Sequence, residues 1–326
     1  MAADYNPNTP LLQTPPTSTI DDRTTGLRVY FTESPAFPTN ESCFTELPMP
    51  EFQQQRNAET PLYAEEMDAP LPETLNPNTR YAYFSTIAKG GKCMIKSCRD
   101  LHLRRTICYK TLRPELAKDP IENQRFLREA RLSAALQHPN TVPTYELGRD
   151  NKGNYYFTMK LVHGYTLREI LEYRERYDLS QLMEVLEQVG QALGYAHSRG
   201  VLHRDIKPDN VLVGAYGEVL LLDWGLAKVW HQADTQDDEE NQEEAAGDPG
   251  MTGEGKLQGT VMYMSPEQVN RDPGISFGSD IYSLGVLLYE TLTGTTPFQG
   301  DIIHKLLEQI RNDMPPDPRE VSKHPV

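Results

Sequence analysis

The stretch Val201 to Val213, VLHRDIKPDNVLV, constrains this chain more than any other. Val201 and Leu202 on one side, and Val211, Leu212 and Val213 on the other, read as short buried strands holding a polar loop between them. Inside the loop stand His203, Arg204, Asp205, Lys207, Asp209 and Asn210. A solvated charged turn explains any one of these residues, but not the order of acid, base and amide. Transfer of a phosphoryl group to a hydroxyl explains the order. Asp205 would accept the hydroxyl proton, Lys207 would neutralise the transferring group, and Asn210 would hold a magnesium ion.

The rest of the chain sets the frame. Its 326 residues suffice for two domains, or for one two-lobed domain with appendages. The formal net charge is −15, which argues against a nucleic-acid-binding surface. About nine excess negative charges fall in residues 1–79 and about nine more between Ala233 and Glu254. Acidity is therefore mainly a property of two polar segments. Residues 1–79 are rich in Pro, Thr, Asn and Glu without a lasting period, which predicts a disordered tail. Within it, Leu27 to Phe31 could form a strand against a partner, and tail and acidic insert are both candidates for binding other proteins. Cys43, Cys93, Cys98 and Cys108 lack C-x-x-C spacing, so zinc is not expected and a reduced compartment is the simpler reading. The start has no basic flank or apolar run, and no stretch of about 18 apolar residues occurs. A cytoplasmic chain is expected, with any anchor lying in a further C-terminal part.

Folded text begins near Arg80. Tyr81 to Phe84, Lys92 to Ser97, Thr106 to Leu112, Thr141 to Leu147 and Tyr155 to Leu161 read as five strands. Asp119-Pro120-Ile121-Glu122 supplies an N-cap, a proline at the first helical position and a capping-box acid. The helix it opens is expected to run through Gln137, where His138-Pro139 stops it. After Gly164 the pattern turns helical: Leu182, Val185, Leu186, Val189, Leu193 and Ala196 mark one buried face. Val219 to Leu222 reads as a buried strand delivering Asp223. Ser279 to Thr293 is a second apolar helix, and a weaker one runs from Asp301 to about Asn312.

These pieces carry a family resemblance. The loop matches H-R-D-x-K-x-x-N, the catalytic loop of protein kinases, residue for residue. Asp223-Trp224-Gly225 stands where kinases carry D-F-G, and it continues through L-A-K to Lys228, as in many bacterial Hanks-type Ser/Thr kinases. Gly259 to Glu267, GTVMYMSPE, resembles the segment that ends the activation loop, with S-P-E for A-P-E. Ile107-Cys108-Tyr109-Lys110 resembles the strand bearing the phosphate-binding lysine, with Glu129 as its helix partner; Glu122 is the competing acid, already explained by its capping box. The resemblance runs from about Tyr81 to the end of the chain. It implies an α+β, two-lobed kinase fold: a small five-stranded lobe with one main helix and hinge (residues 80–162), then a mainly helical lobe (163–326) with an acidic activation-loop insert at about 231–256.

The same resemblance implies ATP and Mg2+ as cofactors and serine or threonine hydroxyls of protein substrates as acceptors. Asn210 and Asp223 would hold the metal. The nucleotide would lie among Ile87, Ala88, Lys89, Gly90, Gly91, Lys92, Cys93, Met94 and Ile95, below Cys108, with Met159 as gatekeeper, Lys160 and Val162 as hinge, and Leu212 beneath the adenine. Trp224 would pack against His203. Thr260 would bond the catalytic aspartate and lysine, and Asp280 would steady the catalytic loop. Arg204 is the residue that pairs with a phosphorylated activation loop in related kinases. Thr252 is then the leading phosphosite and Thr235 the second.

Three departures point elsewhere. In the pattern G-x-G-x-x-G-x-V this chain keeps the middle glycine as Gly90 but has Ala88 and Cys93 at the first and third. Cys93 is expected to place a side chain over the phosphates and to stiffen the loop. Cys108 stands where the family has alanine above the adenine ring. The chain also stops where the family continues with further helices and an arginine that pairs with the S-P-E glutamate, here Glu267, so an incomplete large lobe is expected, with exposed apolar surface on the Ser279–Thr293 helix. The competing reading is a pseudokinase, a nucleotide-poor scaffold that keeps the fold.

Overall fold

The computed structural model describes residues 26–28, 46–48, 70–71, 79–214, 216–229, 261–272, 274–300 and 302–322. Thr235, Thr252, Thr260, the insert at 231–256 and most of the tail lie outside the described residues. Within the tail, β1 (Gly26–Arg28) pairs antiparallel with β2 (Glu46–Pro48), placing Leu27 opposite Leu47.

The small lobe is one antiparallel sheet of β3 (Tyr81–Lys89), β4 (Cys93–Asp100), β5 (Arg105–Leu112), β6 (Thr144–Arg149) and β7 (Tyr155–Met159), in the order β3-β4-β5-β7-β6. Register decides what faces the site. Cys93 pairs with Leu112, Ile95 with Lys110, Lys110 with Phe157 and Cys108 with Met159. Because side chains alternate along a strand, all of these share one face. Leu112 and Phe157 on that face pack with Phe126 and Ala130 of α1 (Pro120–Ala135), so the helix is seated over the site face. The opposite face is closed by Cys98, Ile107, Tyr109 and Tyr156, the two tyrosine rings stacked 4.6 Å apart.

Several boundaries differ from expectation. β3 continues five residues past Phe84, through two irregularities in its pairing with β4 and a left-handed Tyr83 (φ 55°). These break the alternation a sequence reader relies on. α1 ends at Ala135 rather than Gln137, with the Leu136 amide returning to the Leu132 carbonyl at 3.0 Å. Thr141 precedes β6 and makes only an isolated bridge to Leu221. β7 stops at Met159, because the Lys160 amide turns to the Pro143 carbonyl at 3.0 Å. Glu122 pairs with Lys92 (3.3 Å) and Arg125 (2.6 Å), where a capping-box role was expected, and Asp119 caps α1.

The large lobe follows as β8 (Gly164–Thr166), α2 (Leu167–Glu172), α3 (Leu179–Ser198), β9 (Val201–Leu202), β10 (Val211–Gly214), β11 (Val219–Leu221), β12 (Lys228–Val229), α4 (Pro266–Asn270), α5 (Phe277–Thr293), α6 (Ile303–Asn312) and α7 (Pro318–Val321). α3 opens with a capping box between Asp178 and Gln181, and it buries Leu182, Val185, Leu186, Val189, Ala192, Leu193 and Ala196. That stripe forms the main core with Val286 and Leu287 of α5 and with Val211, Val213, Val219 and Leu221. α6 buries Leu306 and Ile310 against Val261 and Phe298. Past the prolines at 315 and 316, α7 returns to α5, where the Ser322 hydroxyl donates to the Leu292 carbonyl at 3.2 Å. Ile281 of α5 is exposed. Among the described residues no helix is long and apolar enough to cross a membrane.

Candidate active site

The polar loop is clamped at both ends by short strands. β9 pairs with β12, while β10 lies between β11 and β8. Between them the backbone is held by side chains. Asp280, wholly buried at the start of α5, accepts the His203 amide at 2.8 Å and the Arg204 amide at 2.7 Å. His197 of α3 meets the same carboxylate at 2.9 Å. Burial works against the Asp280 charge, but these bonds and the nearby His203 hold its pKa below the usual carboxylate value. Arg204 needs this support, since its φ of 69° is left-handed.

His203 is a fixed strut. Its Nδ1 accepts the Asp205 amide at 3.3 Å, so Nε2 carries the proton and donates to the Leu222 carbonyl at 2.9 Å. Its ring packs edge-on against Trp224 at 4.6 Å, as the aromatic of D-W-G was expected to do. Lys207 donates to both carboxylate oxygens of Asp205, at 2.9 and 2.7 Å. The Asn210 amide nitrogen donates to the Asp205 carbonyl (2.8 Å) and to its Oδ2 (2.9 Å), which turns the Asn210 oxygen away as the group a cation would meet. Burial raises the Asp205 pKa, with Lys207 opposing, so this carboxylate is more basic than an exposed aspartate.

The nucleotide end is built from the small lobe. Lys110 of β5 and Glu129 of α1 are both buried and meet at 2.5 Å. Burial works against the Lys110 ammonium, but Glu129, Asp223 and their neighbours outweigh it and hold its pKa above the ordinary lysine value. Asp223 follows β11 with a φ of 61°, and its Oδ1 accepts the Gly225 amide at 3.2 Å. Its carboxylate pKa is lowered: loss of solvent opposes the charge, and Lys110, the Gly225 amide, His203 and Lys207 together more than compensate. A methyl group on Gly225 would lie 3.0 Å from Asp223 Oδ1 and 3.7 Å from Glu129 Oε2. The glycine thus lets the D-W-G turn sit beside the Lys110–Glu129 pair.

The glycine hairpin joins β3 to β4, with Ala88 opposite Ile95 and Lys89 opposite Met94. Gly90 donates to the Cys93 carbonyl at 2.9 Å, and Gly91 and Lys92 make the tip. Cys93 lies on the site face of the sheet, near Lys110, Glu129 and Asp223. It is the first residue of β4, half-buried, and its side chain packs on the Leu112–Phe126–Phe157 cluster. Burial pushes its thiol up to about 11, so it stays protonated and unreactive. Ile87 and Met94 are half-buried in β3 and β4. At the hinge, Met159 lies between Cys108 and Thr144, with Lys160, Leu161 and Val162 following. Leu212 is half-buried between buried Val211 and Val213, so it points to the opposite side of β10 from the core.

Three features escaped sequence reasoning: His197 on Asp280, the joining of Arg168, Tyr263 and Glu290, and a bond from Gln268 to the Arg204 carbonyl at 2.8 Å. Only Gln268 left a local trace, as the fourth residue of the S-x-x-Q capping box opened by Ser265. Glu267 accepts from the Ser279 hydroxyl at 3.5 Å.

Comparison with known proteins agrees with this geometry. The sequence profile described as "Protein kinase domain" matches residues 81–324. The serine/threonine-protein kinase PknD of Protochlamydia amoebophila is 36% identical over 251 residues, covering 73% of this chain and 25% of that protein. The serine/threonine-protein kinase PknB of Mycobacterium tuberculosis is 36% identical over 247 residues, 74% of this chain and 37% of that protein. PknB of Mycobacterium leprae is 35% identical over 245 residues, with the same shares. The chain thus spans well under half the length of these relatives, and what it shares with them is the two-lobed domain. Motif, geometry and similarity converge: this chain belongs to the protein kinase family, in its bacterial Hanks-type serine/threonine branch.

Proposed function

We propose that the chain transfers the terminal phosphoryl group of ATP to serine or threonine hydroxyls of protein substrates. The observation that carries this reading is the pairing of two prepared ends in one cleft. Lys110 is locked to Glu129 beside Asp223, and Asp205 is held by Lys207 and Asn210. Such an arrangement acts chiefly by positioning and electrostatics.

The donor set fits a magnesium ion. Asp223 and Asn210 offer oxygens, as a hard cation prefers, and most of its shell would come from phosphates and water. When bound, the ion neutralises charge on the phosphate oxygens. The chain's own residues do the rest. Lys110 binds the inner phosphates, Asp205 orients the acceptor hydroxyl and takes its proton, and Lys207 steadies the phosphoryl group being moved. Leu212 and Cys108 would flank the adenine, and backbone groups of Lys160 and Val162 would hold it at the hinge.

Arg204 is the docking point for phosphate on the activation segment, with Thr252 first and Thr235 second as the modified residue, and Thr260 orients Asp205 and Lys207. A cytoplasmic location suits a chain that draws on ATP. The test is mass spectrometry of a generic protein substrate after incubation with the chain, ATP and Mg2+. Phosphoserine or phosphothreonine that disappears with Asp205→Asn supports the proposal. No phosphate, or equal phosphate with the variant, would overturn it.

A further inference from the structure

We propose that Gln268 is a positioning residue for the catalytic aspartate, tying the end of the activation segment to the catalytic loop; this rests on the phosphotransfer reading above. Gln268 is the third residue of α4, and its side chain has two jobs. Its Oε1 accepts the Ser265 backbone amide at 3.0 Å, in the capping box completed by the Gln268 backbone N–H, which donates to Ser265 Oγ at 3.3 Å. A glutamate would serve that capping box equally well. The amide nitrogen does what a glutamate cannot: it donates to the Arg204 carbonyl at 2.8 Å. The orientation of the amide follows from its neighbours, because the reversed form would face donor to donor and acceptor to acceptor.

The Arg204 carbonyl belongs to the peptide unit whose amide is that of Asp205. That amide is bound by His203 Nδ1 at 3.3 Å. The plane leading into the catalytic aspartate is therefore pinned at its oxygen by α4 and at its nitrogen by the loop's own histidine. The preceding two amides, of His203 and Arg204, are pinned by Asp280 of α5. Arg204 is left-handed, so this plane is the one with a strained alternative to fall away from. Asp280 fixes how the chain enters the loop, and Gln268 fixes how it leaves toward Asp205. Since α4 begins at Ser265-Pro266-Glu267, where the activation segment ends, the placement of that segment sets the attitude of Asp205.

Gln268→Glu separates the two jobs. It keeps the cap acceptor, removes the donor and sets a carboxylate oxygen against the Arg204 carbonyl. We expect an unchanged melting temperature, an unchanged KM for ATP, and kcat lower by about ten-fold, the size expected for one well-placed hydrogen bond. Ser265→Ala should do the reverse, lowering the melting temperature while kcat holds. Should Gln268→Glu also lose stability, kcat per nucleotide-binding molecule still decides. Wild-type kcat in that measure, or an effect confined to KM for ATP, would overturn the assignment. Failure of the unaltered chain to transfer phosphate would instead overturn the proposed function.

Discussion

The catalytic loop and the glycine hairpin face each other across one cleft and are built on opposite plans. The loop is held by side chains from four places: His197 of α3 and Asp280 of α5, Gln268 of α4, and His203, Lys207 and Asn210 of the loop itself. Two of its neighbourhood's backbones, Arg204 and Asp223, sit in left-handed conformations that only such anchorage sustains. The hairpin has little of this. Its tip is largely exposed and is held by strand pairing, the Gly90 bond, Arg113 on the Gly91 and Lys92 carbonyls, and the Lys92–Glu122 ion pair. Chemistry that needs a proton acceptor at a fixed point gets a rigid loop. The hairpin carries Ala88 and Cys93 at two glycine positions of the family pattern, on backbone held mainly by strand pairing.

The contrast predicts graded effects. The largest belongs to the loop: Asp205→Asn should lower kcat by about 10²–10⁴-fold while ATP affinity holds, because only the proton acceptor is lost. Steady-state kinetics beside a nucleotide-binding titration checks both halves. Lys110→Met should come next, collapsing turnover and also weakening ATP binding, since Glu129 would lose its partner across the sheet and helix. Equal kcat in the variant would remove Lys110 from the site.

Asp280→Ala should act on the fold more than on chemistry directly. It strands two buried amides, at about 1–3 kcal/mol each, which is a large share of the roughly 5–15 kcal/mol available to a domain. Thermal unfolding should show a lower melting temperature. The pH dependence has a definite sign. Asp280 has a folded value below its ordinary 3.8, so its contribution is complete above about 3.8 and fades as pH falls through the lower folded value. Asp205 runs oppositely: its raised value weighs against the fold at neutral pH and is relieved as pH drops. The melting-temperature gap between the wild type and Asp280→Asn should therefore narrow below pH ~3.8. A gap constant with pH would mean that the carboxylate charge is not what anchors the loop.

The smallest effects belong to the hairpin. Because Cys93 packs sideways into the Leu112–Phe126–Phe157 cluster, Cys93→Gly removes some packing there while freeing backbone. Together with Ala88→Gly it should tighten ATP binding only a few-fold, an order-of-magnitude expectation from glycine's freer backbone. Gly90→Ala should be milder still for stability, since the added carbon would meet only the Cys93 carbonyl at 3.5 Å, an ordinary contact. A large loss of fold from either change would erase the distinction between the two regions.

Much of this is legible in the sequence, for identifiable reasons. His203, Asp205, Lys207 and Asn210 are readable because residue type and spacing are the chemistry itself. The stripe from Leu182 to Ala196 is readable because burial repeats with the helical turn. Lys110 and Glu129 were matched across 19 positions only through the family frame. What stayed hidden is long-range or irregular. Gln268 lies 64 positions from Arg204, and His197 lies 83 from Asp280, so no local pattern announces either bond. β3 reads short in the sequence because its pairing irregularities spoil the two-residue period. Glu122 carried a capping signature, yet Lys92 and Arg125 compete for its carboxylate.

The most direct measurement takes one preparation of the chain and records both the Kd for ATP with Mg2+ and the rate of phosphate transfer to a protein substrate, for the wild type and Asp205→Asn. Equal Kd values, phosphate on serine or threonine with the wild type, and transfer slower by about 10²–10⁴-fold in the variant are expected. Nucleotide binding that is absent in both, or transfer that is equal in both, would contradict a cleft with a rigid catalytic loop and a working nucleotide end.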